Sequence, residues 1–171
     1  MCGIVGAVAQ RDVTPILLEG LKRLEYRGYD SAGIAVLNNR DMLERIRVAG
    51  KIRDLEQAID GKQLLGNTGV AHTRWATHGK PTIENAHPHV CRDQVALVHN
   101  GIIENHEKLR EQQTNLGYEF TSDTDSEVIV NQIHDYLEKG ENLLGAVMKT
   151  TDMLEGAYAL AQGASVRVSE E

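Results

Sequence analysis

The sequence predicts an α+β layered fold in which strands and helices follow one another in mixed order. The chain has 171 residues, which corresponds to a single domain. Hydrophobic residues make up 41% of the chain, enough to build a packed core. Short strand patterns and tight hairpin turns alternate irregularly with helical patterns. This order favours an α+β fold over a doubly wound parallel sheet.

The first half of the chain contains four strand patterns and two helical patterns. Thr14-Pro15 predicts an N-cap followed by proline at the first helical position. Asn38-Asn39-Arg40 predicts the turn of a β-hairpin. Hydrophobic periodicity then predicts strands at residues 4–8, 33–37, 42–48 and 69–73 and helices from 15 to about 26 and from 52 to 59.

The second half begins with a long loop between Arg74 and His89, where glycine and proline lie among polar residues. Loops of this length are often functional. Farther along, Thr124 to Glu127 fits a capping box that opens a helix. The other predicted elements are strands at 95–99 and 157–161 and helices at about 104–116, from this capping box to at least 137, and at 143–154.

Composition excludes several functional classes. The 18 Lys and Arg residues against 25 Asp and Glu residues give a net charge of −7, which argues against binding to a phosphate backbone. Aromatic residues make up only 4%, so stacking surfaces for nucleic acid are scarce. No apolar run is long enough for a membrane span, and no secretory signal is evident. We therefore expect a cytoplasmic protein that binds neither nucleic acid nor membrane.

Cys2 is the most suggestive single residue. If the initiator Met1 is removed, Cys2 carries its own α-amino group, and such groups titrate near pH 8. That amine could serve as the base for the thiol of the same residue, so one residue would supply nucleophile and base. The alternative is that Cys2 is a small structural residue at the start of a strand, as free cysteines usually are. The second cysteine is Cys91, and two cysteines form no disulfide framework.

Histidines form a second cluster. Six of the seven lie within one 35-residue window: His72, His78, His87, His89, His99 and His106. The spacing His87-x-His89-x-Cys91 would place three soft ligands on one face of a strand, which zinc could use. The spacing matches no common zinc signature, however, and polar loop histidines that bond to the backbone are the alternative.

A third set of residues follows strands or opens helices. Arg74 could clamp a carboxylate with two parallel hydrogen bonds. The amide of Asn100 beside the backbone N–H of Gly101 could form an oxyanion hole. Asp125 could hold an ammonium group. Each has an ordinary structural explanation, namely a surface arginine, a turn and a helix-terminal acid, but together they complement a free amino acid.

The same residues lie in six sequence blocks that occur in the order of one known family. The blocks are CGIVGAVAQ (2–10), LEYRGYDSAG (24–33), HTRWATHG (72–79), NAHPH (85–89), HNGIIENH (99–106) and SDTDSEV (122–128). They resemble the class II glutamine amidotransferases, and among these the glutaminase domains of the glutamine–fructose-6-phosphate aminotransferases. Trp75 to His78 and Glu25 to Tyr29 favour that branch over the amidophosphoribosyltransferases.

The resemblance implies both a fold and a set of site residues. The family fold is a four-layer α-β-β-α sandwich of the N-terminal-nucleophile hydrolase type. Matched block by block, the resemblance implies that Cys2 is the nucleophile and that Asn100 and Gly101 form the oxyanion hole. It implies that Arg74, in a loop with Thr77 and His78, clamps the substrate carboxylate. It also implies that Asp125 binds the ammonium group and that Trp75 gates the passage of ammonia. It implies no metal and no cofactor.

The resemblance also implies partners and leaves one alternative open. It implies that L-glutamine is the substrate, that residues 1–171 are an incomplete glutaminase domain, and that a sugar isomerase domain receives the ammonia in a homo-oligomeric full-length enzyme. After about residue 160 the sequence departs from the family pattern. The alternative is an inert or truncated module that binds glutamine or a partner protein.

Overall fold

The structure, a computed structural model, describes residues 2–25, 29–75 and 81–164. Within these residues the chain forms seven strands and five helices. In chain order they are β1 (Gly3–Val8), α1 (Thr14–Leu24), β2 (Ser31–Leu37), β3 (Leu43–Val48), α2 (Ile52–Ile59), β4 (Thr68–Arg74), β5 (His89–Cys91), β6 (Val95–Ile103), α3 (His106–Asn115), α4 (Glu127–Glu138), α5 (Leu143–Thr151) and β7 (Gly156–Ala164).

The described strands form two sheets in which every neighbouring pair is antiparallel. The first sheet has the order β1-β4-β2-β3, and the second has the order β5-β6-β7. In the first sheet, β4 lies between the N-terminal strand and the β2–β3 hairpin. Residues at the end of β4 are therefore paired with the beginning of the chain, where Gly3 lies opposite Thr73.

Three hydrophobic clusters separate four layers. The first joins α1 and α2 to the first sheet through residues such as Leu17, Leu55 and Ile34. The second lies between the sheets, with Val70 from β4 and Val98 from β6. The third packs the second sheet against the remaining helices, and its buried members include Leu97, Leu109, Ile129 and Ala146. This arrangement confirms the expected α-β-β-α sandwich.

The start of α1 differs from the prediction by one position. The helix begins at Thr14 itself and its N-cap is Val13, so Pro15 lies one residue deeper in the first turn. The Thr14 hydroxyl donates instead to the carbonyl of Leu64 at 2.7 Å, while the backbone N–H of Thr14 donates to Asp12 Oδ1 at 3.1 Å. The Thr14 side chain therefore makes a tertiary hydrogen bond in place of the capping bond that the local sequence predicts.

The capping box predicted for α4 is also wrong: with Thr124 as N-cap the helix would begin at residue 125, whereas it begins two residues later, at Glu127. Its N-cap is Ser126, which makes no side-chain capping bond. The Glu127 carboxylate accepts hydrogen bonds from the backbone N–H groups and hydroxyls of Thr121 and Ser122. The Glu127 carboxylate therefore accepts its hydrogen bonds from the preceding loop and not from Thr124.

Several element boundaries differ from the prediction. Strand β6 continues four residues beyond 99, to Ile103, and β7 is likewise longer than expected. The three-residue β5 lies where the sequence predicts the end of a loop. Helix α5 ends at Thr151 and not at 154. In the part of the chain that the structure describes, no helix is long and apolar enough to cross a membrane.

Candidate active site

The N-terminal strand places Cys2 beside the end of β4. The backbone N–H of Gly3 donates to Thr73 Oγ1 at 3.2 Å, which anchors the first residues of the chain. The N–H of Trp75 then points at the Cys2 thiol, with 3.2 Å between nitrogen and Sγ. Cys2 is half-buried, so its sulfur is supported by backbone and still reachable. A thiol held beside a backbone N–H is a suitable position for a nucleophile.

Asn100 links the second sheet to the same residue. It lies in the extended end of β6, and its Nδ2 donates to the backbone carbonyl of Cys2 at 3.0 Å. Gly101 follows with a φ of +134°, and a Cβ there would overlap the carbonyl oxygen of Ala157 on β7. Only glycine fits this position, and its backbone lies beside the Asn100 amide. The geometry is compatible with an oxyanion hole next to Cys2.

Arg74 is the last residue of β4 and is buried, with 8% of its surface exposed. Its Nη1 lies 3.8 Å from Asp30 Oδ1, and the backbone N–H of Asp30 donates to the Arg74 carbonyl at 3.0 Å. The next residue, Trp75, is 41% exposed and its ring meets Tyr29 edge-to-face, with 6.4 Å between centroids. A guanidinium therefore lies one residue before the amide that contacts the Cys2 thiol.

Asp125 is hydrogen-bonded to the end of β6, beyond Asn100 and Gly101. Its Oδ2 accepts from the backbone N–H of Ile103 at 2.8 Å, two residues beyond Gly101. Its Oδ1 accepts from the hydroxyl of Ser126 at 3.2 Å. The side chain keeps 23% of its surface exposed, so its carboxylate remains available to a cationic group. Strand β6 therefore carries the Asn100 side chain and orients the Asp125 carboxylate.

A second layer of buried histidines supports these residues. The backbone N–H of His99 donates to His87 Nδ1 at 3.3 Å, so the neutral His87 ring carries its proton on Nε2. The Ser126 hydroxyl lies 3.2 Å from Asp125 Oδ1 and 2.7 Å from His99 Nδ1. Together with the N–H of Ile103, these contacts hold the Asp125 carboxylate in place.

Burial keeps these histidines neutral. It lowers the pKa of His72 to about 4 and lowers the pKa values of His87 and His89 well below their ordinary range. The pKa of His99 is also lowered by burial, against the opposing effect of Asp125. The four rings pack together, with 4.4 Å between the centroids of His72 and His87. Mutual repulsion adds to the cost of charging any one of them.

The zinc hypothesis is not supported by this arrangement. His87 bonds to the backbone of His99, and His89 Nε2 lies 3.0 Å from the hydroxyl of Thr124. Cys91 packs in the hydrophobic cluster beneath α4. Within residues 2–25, 29–75 and 81–164, no group of three or more His, Cys, Asp or Glu side chains is placed to hold a metal ion.

A cavity of about 380 Å³ lies away from Cys2, between β3, β5 and α4. Its lining includes Arg45, Cys91, Tyr118 and Asn131. Burial raises the pKa of the Cys91 thiol to about 12, so that thiol stays protonated at neutral pH. Of the two cysteines, only Cys2 therefore has the surroundings of a nucleophile.

The roles of the sequence-predicted site residues stay predictions, but the structure shows where several of them lie. Trp75 and Asn100 contact Cys2, Arg74 directly precedes Trp75, and Asp125 contacts Ile103, two residues beyond Gly101 on β6. Thr77 and His78 lie outside the described residues, as does Met1. Sequence reasoning missed Ser126, which it treated only as part of a cap. It also offered a zinc site or polar loop residues for the clustered histidines and did not predict that they are buried and support the site.

Comparison with known proteins identifies the family. A family model for the glutamine amidotransferase domain matches residues 72–167. The chain is 58% identical to glutamine–fructose-6-phosphate aminotransferase (isomerizing) of Legionella pneumophila strain Lens over 160 residues. It is 62% identical over 161 residues to the enzyme of the same name from Pseudomonas syringae pv. tomato. In both cases the match covers 94% of this chain and 26% of the relative, so the chain spans about a quarter of the length of these relatives.

Solved structures agree with the fold. Glutamine phosphoribosylpyrophosphate amidotransferase from B. subtilis is similar, with a TM-score of 0.79 and 28% identity, over 96% of this chain and 35% of that one. A structure described as the allosteric regulatory enzyme of purine biosynthesis has a TM-score of 0.81 and 29% identity, over 96% of this chain and 36% of its own. Identity is about twice as high to the aminotransferases as to these structures. The chain belongs to the glutamine amidotransferase domain family.

Proposed function

We propose that this domain hydrolyses the side-chain amide of L-glutamine to give glutamate and ammonia, with Cys2 as the nucleophile. The observation that carries the proposal is the position of the Cys2 thiol. It lies 3.2 Å from the Trp75 N–H, and the carbonyl of the same residue is tied to Asn100 in the opposite sheet. Nucleophile and oxyanion donors are thereby fixed relative to each other before substrate binds.

Substrate recognition in this proposal uses both ends of the amino acid moiety. Arg74 binds the α-carboxylate as a two-pronged donor, and Asp125 binds the α-ammonium group. The family resemblance assigns Thr77 and His78 to binding of the same substrate. Because both charged groups are recognised, glutamine is preferred over simple amides.

The chemistry proceeds through a thioester. The Cys2 sulfur attacks the δ-carbon of glutamine, and the carbonyl oxygen becomes an oxyanion between the Asn100 amide and the Gly101 N–H. The proton of the thiol passes through the α-amino group of Cys2 to the departing nitrogen. The carbon–nitrogen bond breaks, ammonia leaves and a γ-glutamyl thioester remains. Water then attacks the same carbon, the carbon–sulfur bond breaks, and glutamate is released with the thiol restored.

The finer setting of this reaction is also part of the proposal. The relatives are named for a fructose-6-phosphate aminotransferase, so the ammonia is used to make an amino sugar phosphate. We assign that step to a sugar isomerase domain and Trp75 to the passage of ammonia toward it, in a homo-oligomeric cytoplasmic enzyme. Residues 1–171 are then the glutaminase part alone. We expect this chain neither to consume fructose 6-phosphate nor to form amino sugar from it.

Ammonia release under saturating glutamine tests the proposal. Wild-type protein should release ammonia and glutamate in equal amounts, and Cys2→Ala should reduce the rate to background. Cys91→Ala is the matched control, since that thiol is buried away from the site, and its activity should be unchanged. Equal background rates for wild-type and Cys2→Ala protein would instead favour an inert module that binds glutamine or a partner.

The state of the N-terminus provides a second readout on the same sample. With Met1 attached, the nitrogen of Cys2 is an amide and cannot act as a base. Intact mass spectrometry should therefore show that activity follows the fraction of molecules that begin at Cys2. Full activity in material that wholly retains Met1 would contradict the role of the α-amino group.

A further inference from the structure

The orientation of the Asn100 amide is fixed by two neighbours of known polarity. A backbone carbonyl only accepts hydrogen bonds, so the atom that faces the Cys2 carbonyl at 3.0 Å is Nδ2. The other atom of the amide, Oδ1, then faces His72 Nε2 at 2.8 Å. Because Oδ1 only accepts, His72 must carry its proton on Nε2. The tautomer of His72 follows from this geometry.

We propose that His72 is a positioning residue for the oxyanion hole. Its Nε2–H donates to Asn100 Oδ1, and one of the two Nδ2 protons of Asn100 donates to the Cys2 carbonyl. The second proton of Nδ2 then remains directed toward the oxyanion that forms on glutamine. Without His72 the amide could rotate about its last torsion and present oxygen to the oxyanion. This inference rests on the proposed glutaminase activity.

The fold restricts His72 to this single arrangement. It lies in the middle of the first sheet, opposite Ile4 of β1 and Gly33 of β2, and only 1% of its surface is exposed. Its ring stacks on that of His87 with 4.4 Å between centroids. A side chain confined in this way loses little further freedom when it orients a neighbour.

The neutrality of the ring is part of the role. Burial outweighs the contributions from the Asn100 amide and the backbone of His99, and it lowers the pKa of His72 to about 4. At neutral pH the residue therefore acts as a donor of fixed direction and not as an acid or base. Because Asn100 bonds to both His72 and Cys2, His72 acts on the site through Asn100.

Substitutions that move the donor atom distinguish positioning from simple packing. The amide nitrogen of glutamine is as many bonds from Cα as Nε2 of histidine, whereas that of asparagine matches Nδ1. His72→Gln should therefore keep kcat within about threefold, while His72→Asn and His72→Leu should lower it by about 10- to 100-fold. The KM for glutamine should change by less than about threefold in all three, because Arg74 and Asp125 are untouched.

A double substitution tests whether the effect passes through Asn100. In the Asn100→Ala background, His72→Asn should cause no further loss of kcat, because the amide it positions is gone. His134→Asn is the matched control: His134 is buried in α4 and bonds to Tyr118 through Nδ1, which asparagine can replace. That variant should retain wild-type kcat.

The outcomes separate this inference from the proposed function. If wild-type protein releases no more ammonia than Cys2→Ala, the proposed function fails. If wild-type protein is active but His72→Asn equals it, or if the Asn and Gln variants lose equal activity, the positioning role is wrong. Should the variants not fold, nitrogen NMR of wild-type His72 decides: a proton on Nε2 at pH 7 supports the inference, and a proton on Nδ1 overturns it.

Discussion

At the scale of single residues, the Cys2 thiol takes its position from backbone pairing. The register that places Gly3 opposite Thr73 brings Cys2 to the end of β4, and Trp75 then supplies an N–H to the sulfur. Sequence reasoning could propose Cys2 and Arg74 from their chemistry. Their proximity depends on two strands that are 70 residues apart in sequence, which periodicity cannot reveal.

Arg74 provides the sharpest test at this scale. Removing one partner of a buried charged pair costs roughly 2–5 kcal/mol, so Arg74→Ala should raise the Kd for glutamine by at least about 30-fold. Arg74→Lys should not restore binding, because a single ammonium group cannot reproduce the planar fork of a guanidinium. Isothermal titration of the Cys2→Ala protein measures binding without turnover.

The control for this experiment is Arg53→Ala, which removes an exposed arginine from α2. Its affinity for glutamine should equal that of the parent protein. An Arg74→Lys variant with parental affinity would show that charge alone suffices and would contradict the carboxylate clamp.

At the scale of secondary-structure elements, the sequence predicts where elements lie better than it predicts how they end. The period of apolar residues located every helix, because that period reflects local burial. It failed at caps such as Thr14, whose hydroxyl bonds to Leu64 across 50 residues. It also missed β5 and the end of β6, which are stabilised by pairing with strands that the local sequence does not contain.

The same reasoning explains why the sequence predicts only a loop for residues 81–88. Its order comes from side chains elsewhere: Arg47 Nη1 on β3 donates to the carbonyls of Glu84 and Ala86 at 3.0 and 2.8 Å. The burial of Arg47, aided by the nearby Arg45, lowers its pKa to about 10, so it remains a cation at neutral pH. These bonds hold the segment that delivers His87 to the site.

Gly33 on β2 tests this attachment. A Cβ at Gly33 would overlap the carbonyl oxygen of His87, so the segment lies directly on the strand. Gly33→Ala should displace it and lower the free energy of unfolding by about 1–3 kcal/mol, the usual cost of overpacking. Because His87 supports Ser126 and hence Asp125, the KM for glutamine should rise as well. Urea denaturation and steady-state kinetics measure the two effects.

Gly6→Ala on β1, the edge strand separated from β2 by β4, is the matched control. A Cβ at Gly6 meets no described atom within 4 Å, so the change should leave the stability within about 0.5 kcal/mol and leave the KM unaltered. Equal losses in the two variants would show that the loss comes from adding a methyl group to this sheet and not from displacement of the segment at 81–88.

At the scale of the whole molecule, the site forms where the two sheets meet. His72 comes from the first sheet and His99 from the second, while His87 and His89 arrive from the connecting segment and β5. Buried rings at this junction join the layers through hydrogen bonds to Asn100, Ser126 and Thr124. The sandwich therefore depends on several imidazoles remaining uncharged.

This dependence predicts that the domain loses stability in mild acid. An unfolded histidine titrates near pH 6.5, whereas the folded-state pKa of His72 is about 4. Above pH 6.5 the ring is neutral in both states and contributes no pH dependence. Below pH 6.5 the unfolded chain binds a proton that the folded chain excludes, so the free energy of unfolding falls until the pH reaches the folded pKa. His87, His89 and His99 act in the same direction.

Urea denaturation at pH 7.5 and pH 5.0 measures this loss, and His72→Gln isolates the part due to one ring. Between these two pH values the linkage relation assigns about 2 kcal/mol to His72 alone, given a folded pKa of about 4. The glutamine variant has no such proton to exclude, so its free energy of unfolding should fall by about 2 kcal/mol less than that of the wild type. If wild type and His72→Gln lose the same stability between the two pH values, His72 takes up its proton equally in both states, and the buried neutral cluster does not determine the response to acid.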